Sequence, residues 1–105
     1  MALTGAAAWA SGGATNQVRS QAAGSGANKD AALTYGGYSG SAAIDLTENY
    51  NGSSWTEVND LNTEKRYISG CGTSTAALCT GGYSQAGSVL AENENWNVIV
   101  TGKPL

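Results

Sequence analysis

The 105-residue sequence contains no histidine and no phenylalanine, one proline, two cysteines and only 12% charged residues. Each shortage excludes something. Without histidine, the side chain that changes charge near neutral pH is missing, so a serine or cysteine nucleophile has no evident activating base and catalysis has little to stand on. Cys71 and Cys79 are too few for a disulfide framework and have neither a second pair nor a histidine to make a zinc site. They are expected to be free thiols, both at least partly buried. Five cations against eight acids leave a net charge of −3, which removes the basic footprint that a nucleic-acid partner requires. No apolar run of about 18 residues could cross a bilayer as a helix. The stretch 1–8 lacks the basic start and apolar centre of a signal peptide, so the expectation is a soluble chain without a leader. Calcium loops of the Asp-x-Asp-x-Asp type are also missing, since Asn59-Asp60-Leu61-Asn62 carries one acid and no turn glycine. No cofactor or metal is expected.

Helical periodicity is absent too. Thr, Val, Tyr and Trp come in short bursts between clusters of Gly, Asn and Ser, which reads as strands and turns and predicts an all-β chain. Alanine supplies much of the 41% hydrophobic content. The chain therefore looks short of core for a free-standing monomer.

What is present is a repeat. Residues 31–39 (AALTYGGYS) return as residues 76–84 (AALCTGGYS), identical at seven of nine positions. Trp9 and Trp55 lie 46 residues apart (55 minus 9), and the same offset carries Asn16 onto Asn62, Gly24 onto Gly70, Gly26 onto Gly72, and 47–51 (TENYN) onto 93–97 (NENWN). One period reads as four strands: one leading to Gly24 or Gly70, the Ala-Leu…Gly-Gly-Tyr strand, the Glu-Asn-aromatic strand, and a Trp strand. Asn51-Gly52 is expected to form the tight turn of a hairpin, where both central residues take positive φ. A period of this size points to a repeat architecture of about one propeller blade per period.

These residues resemble the Kelch family, whose blades carry a Gly-Gly pair, an acid with an aromatic, a Trp, and an Arg opening the next blade. The matching positions are Gly36, Gly37, Glu48, Tyr50, Trp55 and Arg66, then Gly81, Gly82, Glu94 and Trp96, with Trp9 and Arg19 leading. Arg19 and Arg66 stand at spacings to Gly24 and Gly70 that differ by one. The resemblance is to divergent phage and environmental repeats and covers Trp9 to about Val100. It implies a β-propeller fragment of two four-stranded blades, at about 19–58 and 66–101. It also implies a virion or host-recognition role toward carbohydrate or protein. After Trp96 the Trp strand is missing, so the strand at 5–11 is expected to complete the second blade of a neighbouring copy. Ring closure with two blades per chain permits a dimer, trimer or tetramer, and a homotrimer with six blades is the expectation.

As chemistry, the Gly-Gly pairs are read as strand ends rather than phosphate loops, because no helix pattern follows them. Glu48 and Glu94, at matched positions, are read as fixing strands or loops rather than as a catalytic pair. Trp9, Trp55, Tyr50 and Trp96 are read as packing between blades. The loops from Tyr38 to Ala43 and from Tyr83 to Val89 are the expected ligand site, with Tyr38 and Tyr83 at the rim. The chain is expected not to be an enzyme; the alternative is a fragment of an oxidase- or sialidase-like propeller with its active site elsewhere.

Overall fold

The structure, a computed structural model, describes residues 8–98. These are all-β: the sheets are antiparallel and no helix is present among the described residues. Strands β1 (Ala23–Asn28), β2 (Ala31–Tyr35), β3 (Thr47–Tyr50) and β4 (Trp55–Val58) form one sheet in sequence order. Strand β5 (Lys65–Arg66) opens the second half. There β6 (Ser69–Gly72), β7 (Ala76–Thr80) and β9 (Asn93–Asn97) form a three-stranded sheet, and the short β8 (Tyr83–Ser84) pairs with β5.

The halves agree in register. Tyr35 opposes Thr47 and Thr34 opposes Glu48; 45 or 46 residues on, Thr80 opposes Asn93 and Cys79 opposes Glu94. Gly36 and Gly37 have φ of 66° and 107°, and Gly81 and Gly82 have φ of 65° and 98°. This left-handed pair ends β2 and β7 and turns the chain toward the bridge at Tyr38 or Tyr83. Glycine is also sterically required: a Cβ on Gly37 would lie 2.6 Å from the Ser20 carbonyl, and one on Gly82 would lie 2.7 Å from the Arg66 carbonyl. Even the non-glycine residues with positive φ, Gln21 and Tyr67, are 46 apart.

Turn chemistry departs from the expectation at Asn51-Gly52. Tyr50 pairs with Trp55, leaving a four-residue loop in which only Gly52 takes positive φ (101°). The Asn51 side chain accepts from the N–H groups of Ser53 and Ser54, both at 3.0 Å. That side-chain cap stabilises a wider loop than the two-residue turn.

The core lies between the sheets. Ala23, Leu33 and Tyr35 of the first face Cys79 of the second and Ile68, just ahead of β6, with Val58, Leu61, Ala77 and Trp96 around them. Strands β1 and β6 lie against each other. Tyr35 reaches across β6 above Gly70, whose missing side chain leaves room for the phenol ring. Tyr35 thus belongs to the core.

Two expectations are corrected here. Cys71 is exposed, whereas Cys79 is buried; both are free thiols. Strand alternation is the reason. Ala77, Cys79, Glu94 and Trp96 face the first sheet, while Ser69, Cys71, Leu78, Thr80, Asn93 and Asn95 form the opposite, open face. Cys71 pairs with Leu78 and Cys79 with Gly70, so the thiols are also out of register for a bridge. Trp9, expected to pack, is fully exposed in a segment without strand pairing (102% relative exposure). The remainder of the expected 5–11 strand, residues 5–7, lies outside the described residues.

Candidate functional site

The best candidates for chemistry are the matched carboxylates, and each sits in a clasp. Glu48, completely buried, accepts the N–H groups of Asn16 at 2.7 Å and Gln17 at 3.0 Å, and pairs with the Arg19 guanidinium at 2.8 Å. Arg19 donates further to the carbonyls of Gly36 at 3.0 Å and Leu46 at 2.9 Å. Glu94 accepts the N–H groups of Asn62 at 2.6 Å and Thr63 at 3.2 Å, and pairs with Lys65 at 2.9 Å. Lys65, itself completely buried, reaches Glu92 at 3.2 Å as well.

The clasp corrects one sequence assignment. The counterpart of Arg19 is Lys65, 46 residues on, and not Arg66. The family-like spacing hid this because the sequence compared Arg with Arg, whereas the structure matches one cation with another at the same distance from its carboxylate.

Burial alone would raise the Glu48 carboxyl, but the N–H bonds and Arg19 outweigh it and hold its pKa below the ordinary value of 4.5. Glu94 is lowered for the same reasons, with Asn62 and Lys65 opposing burial. Burial would lower Lys65, yet Glu94 and Glu92 hold it above 10.5. Burial pushes the Cys79 thiol up, only partly opposed by Lys65, so it is a poor nucleophile. Both carboxylates thus stay ionised and tie an incoming segment to β3 or β9.

The two expected ligand loops are brought to one edge. The Gln85 side chain accepts from the N–H of Ala43 at 2.5 Å, joining one loop to the other. Between them the Arg66 guanidinium lies over the Tyr38 ring at 4.5 Å and over the Tyr67 ring at 5.4 Å. Tyr67 meets Tyr83 edge to face at 5.7 Å. Tyr38, Arg66, Tyr67 and Tyr83 therefore form one row in which Tyr67 and Tyr83 are exposed. The stacking of Arg66 on Tyr38 and Tyr67 was missed from sequence. The signal was present in the Arg-Tyr dipeptide, whose match in the first half is Ser20-Gln21.

Tyr50 and Trp55 stack at 4.9 Å on one sheet, and Trp96 packs on the core between the sheets. No group of His, Cys, Asp or Glu among the described residues could hold a metal ion. No described helix is long and apolar enough to cross a membrane. Neither a protein-family model nor a curated protein matches the chain.

Proposed function

We propose that the chain is a non-enzymatic structural and binding module, Kelch-like in its blades, whose copies continue side by side into a closed β-propeller ring. The observation that supports this is the asymmetry of matched faces. In the first half, a Cβ on Gly36 would meet Ile68, Leu61 and the Lys65 carbonyl of the second half; on Gly81 it would meet only the Leu90 carbonyl, at 3.7 Å. Leu33 is 2% exposed and Ala43 is 1% exposed, yet their counterparts Leu78 and Val89 are half-buried and 75% exposed. The second half thus presents the face that the first half buries, and another copy supplies the natural cover.

That face is more polar than its counterpart in the first half. Thr80 and Asn93 stand where the first half has Tyr35 and Thr47, and Leu78 is its main large apolar side chain. The association is accordingly reversible rather than obligate. Six blades from a homotrimer remain the favoured closure. Light scattering across a concentration series should rise to three times the 10.6 kDa chain mass; a monomer at every concentration overturns the ring.

The ligand face is the row of Tyr38, Arg66, Tyr67 and Tyr83, where phenol rings offer stacking and the guanidinium offers donors, a combination suited to carbohydrate. Replacing Tyr67 and Tyr83 with Ala should abolish glycan-array signal, and unchanged signal overturns this assignment. The alternative, a piece of a propeller enzyme, draws no support from Glu48 and Glu94, which are spent on backbone N–H groups and a cation. A virion or host-recognition setting is proposed on the resemblance alone.

A further inference from the structure

We infer that the edge of β9 left unpaired among the described residues is a seat for the Trp9 strand of a second copy, clasped by Asn59 and Asn62; this rests on the ring reading above and specifies its contact. The first half shows how such a seat works. Strand β4 is held on β3 by more than its ladder. The Trp55 indole N–H donates to the Gly13 carbonyl at 3.0 Å, the Asn16 side-chain amide donates to the Trp55 carbonyl at 3.1 Å, and the indole stacks on Tyr50 at 4.9 Å. Forty-six residues on, these three partners are Asn59, Asn62 and Trp96.

The counterparts are held in corresponding places. The backbone N–H groups of Asn16 and Asn62 are anchored on Glu48 and Glu94 at 2.7 and 2.6 Å, so Asn62 stands to β9 as Asn16 stands to β3. Its side-chain amide is exposed and makes no hydrogen bond among the described residues. The segment 59–62 and residues 94–97 of β9 line one cleft of about 220 Å³, which Leu33, Tyr35 and Thr47 of the first sheet and residues 77–79 of β7 also line. The ladder decides which backbone groups face outward. The N–H of Gly81 bonds the Glu92 carbonyl and that of Val98 bonds the Thr75 carbonyl, so by alternation Glu94 and Trp96 bond β7. Asn93, Asn95 and Asn97 then turn their N–H and C=O groups to the edge that has no partner strand among the described residues.

The occupant must be an extended strand bearing an indole, seven residues ahead of an asparagine like Asn16. Trp9 meets this, as Trp55 does for Asn62, and its side chain is fully exposed. In the chain's own sequence, the position 46 residues beyond Trp55 is Thr101, which has no indole. Copying the β3–β4 register places Trp9, Ala10, Ser11 and Gly12 of the second copy opposite Trp96, Asn95, Glu94 and Asn93.

Cysteine pairing in the full chain, in a Cys71→Ser background, tests the register. Ala10→Cys with Asn95→Cys should give inter-chain disulfides on oxidation, ending at three chains on a non-reducing gel. Ser11→Cys with Asn95→Cys, one residue out of register and on opposite faces, should not. Trp9→Ala should weaken association about 100-fold or more, and Asn62→Ala about 3- to 10-fold with the melting temperature of the dilute chain unchanged. If the chain forms trimers but the two cysteine pairs cross-link alike or not at all, the strand seat is wrong while the ring stands. An intramolecular disulfide at Ala10→Cys and Asn95→Cys overturns the second copy as occupant, and a chain monomeric at every concentration overturns both readings.

Discussion

At the residue scale the two carboxylate clasps differ in what each leaves behind when broken. Glu48→Gln strands the nearly buried Arg19 guanidinium with two carbonyl partners, whereas Glu94→Gln leaves Lys65 its bond to Glu92. Removing one partner of a buried pair costs about 3 kcal/mol or more, so Glu48→Gln should lower stability by that amount and Glu94→Gln by less, measured by urea unfolding at pH 7. Both carboxyls are lowered in the fold. Their stabilisation is therefore complete above the ordinary 4.5 and is lost as pH falls below it through the folded values. Lys65 is raised, so its stabilisation is complete below 10.5 and fades only at higher pH. Melting temperature should be level from about pH 6 to 9 and fall below pH 4.5, and the deficit of Glu48→Gln should narrow in acid. A melting curve that does not respond to acid removes the clasps from the account of stability. Cys71 and Cys79 should stay reduced within one chain, so intact mass with and without reductant should agree; a two-dalton difference contradicts the register.

At the scale of elements, one turn serves two surroundings. Gly36 and Gly81 take nearly the same φ, but Gly36 is enclosed by Ile68, Leu61 and the Lys65 carbonyl, while Gly81 is open. An L-residue in the left-handed region costs about 1 kcal/mol, and overpacking adds roughly 1–3 kcal/mol. Gly81→Ala should therefore cost about 1 kcal/mol and Gly36→Ala roughly 2–4 kcal/mol in unfolding of the dilute chain. Equal losses would mean that the halves do not pack as described.

For the whole molecule the same comparison can be made with leucines. Leu33 is buried between the sheets and Leu78 lies on the open face. Leu33→Ala should cost about 3 kcal/mol in the isolated chain by leaving a cavity. Leu78→Ala should cost under about 1 kcal/mol there, appearing instead as weaker self-association in sedimentation. If Leu78→Ala leaves sedimentation unchanged, the open face is not where copies meet.

Much of this was legible as repetition. A glycine pair that must take positive φ, an acid beside an aromatic, and alternating short strands are local demands, and they recur at a constant offset because each unit solves the same backbone problem. Strand order, the Gly-Gly breaks and the pairing of Glu48 with Glu94 as equivalents follow from that alone. Other features depend on groups distant in sequence. Lys65 replaces Arg19 as a clasp because what matters is charge delivered to a buried carboxylate, and residue type alone pointed to Arg66. Cys71 is exposed and Cys79 buried because alternate residues of β6 and β7 look toward opposite sides, and among the described residues only one of the two faces has a neighbour. The row of Tyr38, Arg66, Tyr67 and Tyr83 draws on both halves, so no single period contains it. Sequence determined the unit; packing of one unit on the next decided which surfaces are buried and which remain to bind.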